Sequence, residues 1–178
     1  TTNPGFSTGM ANGIWIQHSY VGSLGTGSPS RSRALTHEVG HWLNLSHCWG
    51  PSNNPGLSSN CGDDDGVNDT PECIGVTACL LTSNSCSGDN GYWGFNQIDN
   101  VENYMEYSYC SKMYTQGQVD RMRIALTSST GGRNNIWQSS NLISVGADAP
   151  PTDLCKADFF ADEFEVCSGD VIQFTDAS

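Results

Sequence analysis

The sequence predicts an α+β domain: one strand-like run near the start, two helices, and a long irregular half stapled by cysteines. Three observations carry this expectation. The run "GIWIQHSYV" alternates apolar and polar residues, whereas "RSRALTHEVGHWLN" and "TQGQVDRMRIALTSS" space their apolar residues as helices do. Five of the eight cysteines lie between positions 48 and 86, in a stretch rich in Gly, Asn, Ser and Asp where no helical period persists.

The opening stretch to Ser30 is rich in Gly, Ser, Thr and Asn. Within it Ile14, Ile16 and His18 alternate with Trp15 and Gln17, which predicts an edge or near-edge strand before the glycine-rich loop "GSLGTGSPS". Ser30 or Ser32 is a suitable N-cap for the first helix, with Leu35, Val39, Trp42 and Leu43 available for burial. Asn44 suits its end, because asparagine tolerates the left-handed conformation that a C-terminal turn demands. The second helix opens on a Thr115-x-x-Gln118 capping box and carries Val119, Met122, Ala125 and Leu126 on one side. "GADAPPTDLC" marks a boundary, and the tail "ADFFADEFEVCSGDVIQFTDAS" alternates around "SGD" as a β-hairpin would. The expected organisation is a main unit over residues 1–147, a linker over 148–153 and a partial unit over 154–178.

At 178 residues the chain can build one real core and a short second unit. Its 19 acidic against 7 basic residues argue against nucleic-acid or anionic-membrane partners, since phosphate binding needs a positive field. Calcium or a basic peptide suits this charge better, and simple solubility is the plain alternative. Eight cysteines, an even number with no C-x-x-C pair, point to disulfides in an oxidising compartment rather than a structural zinc ribbon. The expected location is secreted or extracellular, the cell surface included. No apolar run approaches the ~20 residues of a membrane span. The chain opens on Thr1, so the lack of a visible signal peptide does not weigh against secretion.

Three of the four histidines fall in "HEVGHWLNLSH". An H-E-x-x-H on a helix sets His37 and His41 one turn apart on one face with Glu38 beside them, and His47 completes three ligands if the chain reverses at Asn44. His18 stands outside this cluster and reads as a surface or strand histidine. Downstream, "NYMEYSYC" offers Met105 in a turn and Tyr107 two residues later. "CGDDDGVNDTP" places four aspartates within seven residues, a loop suited to calcium although it lacks the twelve-residue EF-hand pattern; a solvated acidic turn is the alternative.

Together with "KMYTQGQVDRMR", these motifs resemble the pappalysin branch of the metzincins, over residues 37 to 123. The tail, with "ADFF", "VCSGD" and "QFTDAS", is similar to the first strands of a PKD-like β-sandwich. The resemblance implies a metzincin-type zincin fold, with a twisted sheet, an active-site helix and an irregular C-terminal half. It implies a zinc endopeptidase acting on proteins or peptides, in which His37, His41 and His47 hold Zn2+ and Glu38 activates the zinc-bound water. Tyr107 would donate to the tetrahedral oxyanion, and Met105 would support the site from below. Asp65, Asn68 and Thr70 would lie at a Ca2+ loop. Two departures stand out: Asn44 replaces the family's usual glycine, and Tyr109 stands where basic-preferring members carry an acidic residue, so no arginine preference is implied.

Eight cysteines allow 105 pairings. The family's interleaved bridges would map onto Cys61 with Cys86 and Cys79 with Cys110, leaving Cys48 with Cys73 and Cys155 with Cys167. The competing readings are a calcium-stabilised, disulfide-rich extracellular binding module with a silent zinc site, and a zinc hydrolase outside peptide chemistry. The sequence leaves cleavage preference and oligomeric state open.

Overall fold

The computed structural model describes residues 13–147, 159–161 and 173–176, and over residues 13–147 backbone hydrogen bonding is met by short helices, turns and buried carboxylates rather than by a sheet. The expected strand at "GIWIQHSYV" is replaced by irregular backbone ending in a 3-10 turn over His18–Tyr20. Among the described residues no strand lies beside it, and an unpartnered strand leaves its N–H and C=O groups unmet. The twisted sheet expected for the main unit is likewise absent among the described residues. Its β pairing there is limited to two isolated bridges, His47 to Gly50 and Asn103 to Met113.

The chain divides into two compact units, Thr1–Ile136 and Trp137–Ser178. In the first, helix α1 spans Ala34–Trp42. Its N-cap is Arg33 rather than Ser30 or Ser32, because the Ser32 hydroxyl donates back to the Pro29 carbonyl. The helix buries His37, Gly40 and His41, while Leu35 and Val39 stay exposed. Its inner face is thus the polar one that sequence reasoning assigned to a metal, not the apolar one it assigned to the core. Arg133, almost fully buried, closes the far end: its Nε and Nη2 both donate to the Trp42 carbonyl, at 3.0 and 2.7 Å, and its guanidinium stacks on the Trp42 ring.

Residues 43–115 are largely irregular apart from a 3-10 helix over Ser58–Gly62 and a one-turn helix α2, Asn90–Trp93. Buried aspartates replace a ladder: Asp89 accepts from the Glu72 and Gln97 amides, and Asp99 from the Ser85 amide and the Ser83 and Ser85 hydroxyls. The bridges Cys61–Cys86 and Cys79–Cys110 interleave across the same segment. Each closes a loop of a size for which a cross-link stabilises by roughly 3 kcal/mol. Cys48 and Cys73, expected to pair, are instead free buried thiols. Cys73 donates to Glu106 Oε1 at 3.1 Å, so its sulfur has a polar partner without a bridge.

Helix α3 spans Gln116–Thr127 with both halves of the predicted capping box formed. Leu45, Cys48, Trp49, Cys73 and Met105 form the core, with Tyr114 and Met122 packed against it. This core lies directly beneath the histidines, so one set of contacts serves both stability and the site.

The second unit holds helix α4, Ser139–Ser144, and strands β1, Phe159–Ala161, and β2, Phe174–Asp176. The strands pair antiparallel with Phe160 opposite Thr175, as a hairpin requires. The "SGD" turn, the linker 148–153 and the Cys155 and Cys167 pair lie outside the described residues. No described helix is long and apolar enough to cross a membrane.

Candidate metal centre

The reversal that brings His47 to the helix is made at Asn44. It has φ 72°, the one positive φ among the described non-glycine residues. The Leu45 amide returns to the Gly40 carbonyl and the Asn44 amide to the His41 carbonyl, both at 3.0 Å, which closes a Schellman turn. The chain then places His47 within ligand distance of the helix pair, and a nitrogen from each of His37, His41 and His47 lies within 4.8 Å of the others.

Each imidazole is oriented by a main-chain carbonyl. Nδ1 of His37 meets Tyr104 O at 2.7 Å, Nδ1 of His41 meets Leu45 O at 2.8 Å, and Nδ1 of His47 meets Ser52 O at 2.9 Å. A carbonyl only accepts, so each Nδ1 is the protonated nitrogen and each Nε2 presents a lone pair. The Nε2 atoms of His41 and His47 face each other at 3.1 Å. Two lone pairs at that separation repel unless a cation lies between them, and tetrahedral zinc bonds of ~2.0–2.1 Å put ligand nitrogens roughly 3.3 Å apart. The donor set therefore fits zinc.

Burial, followed by the charge of neighbouring histidines, lowers His37 to about 4 and His47 to about 3; burial also lowers His41. All three are thus neutral near pH 7, the state a metal ligand needs. Trp49 stacks on His47 with ring centroids 4.4 Å apart and planes within 3°, and its indole N–H shares the Ser52 carbonyl.

Glu38 is half-buried beside this triad, and burial raises its carboxyl above the usual range. The Tyr107 ring lies 5.4 Å from that of His37 and 4.9 Å from that of His47. Burial, then the Glu38 charge, raises its phenol, so it remains a proton donor at neutral pH. Both residues line a cleft of about 560 Å³ that opens on His37.

Met105 is fully buried below the helix. Its amide donates to Asn103 Oδ1, Asn103 Nδ2 donates to Gln118 Oε1, and the same Oε1 accepts the Thr115 amide. The turn under the histidines is therefore anchored to the cap of α3. Sequence reasoning missed Gly40, Trp49, Glu106 and Arg133. A glycine in a helix interior was the available signal for the first, since it costs about 1 kcal/mol against alanine and asks for a packing reason.

In the acidic loop, Asp65 and Thr70 are buried while Asn68 is exposed. Asp65 Oδ2, Asp69 Oδ1 and Thr70 Oγ1 are buried without a hydrogen-bond partner, and burial raises the Asp65 carboxyl to about 7. Orphaned oxygens of this kind are the donors a hard cation such as calcium would ask of Asp65 and Thr70, whereas Asn68 is exposed.

A family model described as Peptidase_M43, pregnancy-associated plasma protein-A, matches residues 4–127. The "Extracellular metalloprotease" of Arthroderma benhamiae (strain ATCC MYA-4681 / CBS 112371) is 31% identical over 123 residues, covering 67% of this chain and 41% of that protein. "Extracellular metalloprotease 1" of Coccidioides posadasii (strain C735) is 34% identical over 123 residues, with 67% and 39% covered. The chain thus spans about two-fifths of the length of these relatives. Among solved structures, mature mirolysin of Tannerella forsythia in complex with a cleaved peptide aligns with a TM-score of 0.55 at 30% identity, over 76% of this chain and 47% of that one. Mirolysin in complex with a small compound aligns with a TM-score of 0.55 at 32% identity, over 71% and 46%.

Proposed function

Because this chain belongs to the peptidase M43, or pappalysin, family and shares the metzincin-like fold of mirolysin, we propose that it is the zinc-binding part of a secreted endopeptidase that hydrolyses peptide bonds of proteins. The observation that carries the reading is the convergence of three Nε2 lone pairs beside a half-buried glutamate. Bound by His37, His41 and His47, zinc supplies Lewis-acid polarisation of the scissile carbonyl and draws the pKa of water toward ~7.

The chain's own groups do the rest. Glu38, raised by burial, takes a proton from the attacking water at its carboxylate and returns it to the leaving amine. Tyr107, over the triad and still protonated, donates its hydroxyl to the oxygen that gains negative charge. Met105 holds the floor and touches no substrate. A protein or peptide substrate is supported by the cleaved peptide in the mirolysin complex, and an extracellular setting by the names of the relatives. Calcium at Asp65 and Thr70, with Asn68 a ligand only after turning inward, is supported by the orphaned oxygens there. We take the catalytic unit to run over residues 1–147 and a PKD-like sandwich to start in 154–178, on the proline-marked boundary and the antiparallel strand pair.

The test compares native chain with Glu38→Ala for zinc content and for cleavage of a mixed peptide library. One zinc per chain in both, with cleavage only in the native chain, upholds the reading. Zinc without cleavage in either favours a silent binding module.

A further inference from the structure

Seven lysines and arginines serve a chain of net charge −12. Of those in the described residues, Lys112 pairs with Glu102 and Arg123 with Asp120. Arg121 donates to the Asp65 and Gly66 carbonyls, and Arg133 closes α1. Arg31 and Arg33 differ from these. Both are exposed, neither has a carboxylate partner among the described residues, and both line the cleft that holds His37 and Glu38. Arg31 is steadied over the Tyr20 ring, 4.7 Å from its centroid, and Tyr20 lines the same cleft.

Unpaired guanidiniums on the wall of a cleft in an otherwise acidic molecule invite a carboxylate from outside. The other charged groups on that wall leave the invitation open. Glu38 makes no ion pair with either arginine, and Glu106 is 3% exposed with its two oxygens taken by Cys73 and Val76. Arg33 precedes His37 by one helical turn, roughly 6 Å along the axis. An extended peptide advances about 3.3–3.6 Å per residue, so side chains within about three positions of the scissile bond come within reach of both guanidiniums.

Resting on the peptidase reading of the same cleft, we propose that Arg31 and Arg33 form a subsite for an acidic substrate side chain, and that the enzyme favours peptide bonds with Asp or Glu within three residues. The subsite also offsets the repulsion that a chain of net charge −12 would impose on such a substrate.

The experiment uses zinc-loaded native chain, Arg31→Ala/Arg33→Ala and Arg31→Lys/Arg33→Lys. The substrates are acetylated, amidated decapeptides differing only in Asp, Asn or Lys at each of three positions on either side of one Ala–Leu bond. A further arm leaves the C-terminus free. In at least one register, kcat/KM for Asp should exceed that for Asn by roughly two- to fivefold, the scale of exposed charge pairs. The ratio should approach one in the alanine pair, persist in the lysine pair and shrink in high salt. A ratio of one in the native chain, an unchanged ratio in the alanine pair, or a preference confined to the free C-terminus would overturn the assignment. If no peptide is cleaved, the peptidase reading fails separately. Fluorescence anisotropy of the dye-labelled peptides on Glu38→Gln then decides the subsite: arginine-dependent binding of the Asp series upholds it, and arginine-independent or absent binding overturns it.

Discussion

Met105 packs where α1 carries no side chain: a Cβ on Gly40 would fall 2.4 Å from Met105 Sδ and 3.1 Å from the Tyr114 hydroxyl. Helix propensity alone would reward Gly40→Ala by about 1 kcal/mol. Overpacking of a fully buried neighbour costs typically 1–3 kcal/mol, so the net effect should be destabilising. The melting temperature and zinc retention should both drop. A rise in melting temperature would mean that the helix and the turn can separate freely.

Asn44 offers the opposite experiment. At φ 72° glycine is unstrained, so Asn44→Gly should retain zinc with equal or slightly higher stability, whereas Asn44→Val should lose about 1–2 kcal/mol and bind zinc more weakly. Denaturant titration with parallel zinc analysis checks both. Equal behaviour of the two variants would show that the reversal tolerates another backbone conformation.

Stability of the metal-free chain should depend on pH in two opposed ways. His37 and His47 are lowered to about 4 and about 3, so between those values and 6.5 the unfolded chain binds more protons. Their contribution is complete above pH 6.5 and is lost as pH falls through 4 toward 3. Urea unfolding at successive pH values should show this acid loss, reduced in His37→Asn and shifted to lower pH by added zinc.

Glu106 is raised to about 7 by burial, so the folded chain binds more protons between 4.5 and 7. Its favourable contribution is therefore present below pH 4.5 and is lost as pH rises through 7. Glu106→Gln should be the more stable protein at pH 8, by on the order of 2 kcal/mol, with little difference at pH 4. A glutamine could still accept from Val76 and donate to Cys73 Sγ.

Calcium should raise the melting temperature of the native chain, because binding to the folded state alone stabilises it. Asp65→Asn should erase most of that increment while leaving the zinc content unchanged. An equal calcium response in the variant would locate the ion elsewhere.

The histidine cluster was legible because its geometry is local: His37 and His41 follow from helical spacing, and His47 from one asparagine able to turn left-handed. The capping box at Thr115 was legible for the same reason. The Ser N-cap of α1 failed because the hydroxyl of Ser32 found Pro29 instead. The strand at residues 13–21 failed because alternation shows only that a segment could pair, not that a partner lies beside it. Hydrophobicity points Leu35 and Val39 inward, but the inner face of α1 belongs to histidines whose carbonyl partners, such as Tyr104 O, lie up to 67 residues away. Nothing within the helix announces those partners. Cys48 and Cys73 reached the same core without bonding, which counting an even number of cysteines could not foresee.

Trp49 and His47 lie parallel and share one acceptor, so the indole samples whatever happens at the imidazole. The protein thereby carries its own optical probe. Emission that Trp49→Phe removes should fall when His47 is protonated and should be quenched when a paramagnetic cobalt ion takes the place of zinc. Occupancy of the centre can then be followed in real time, without a label and without a substrate.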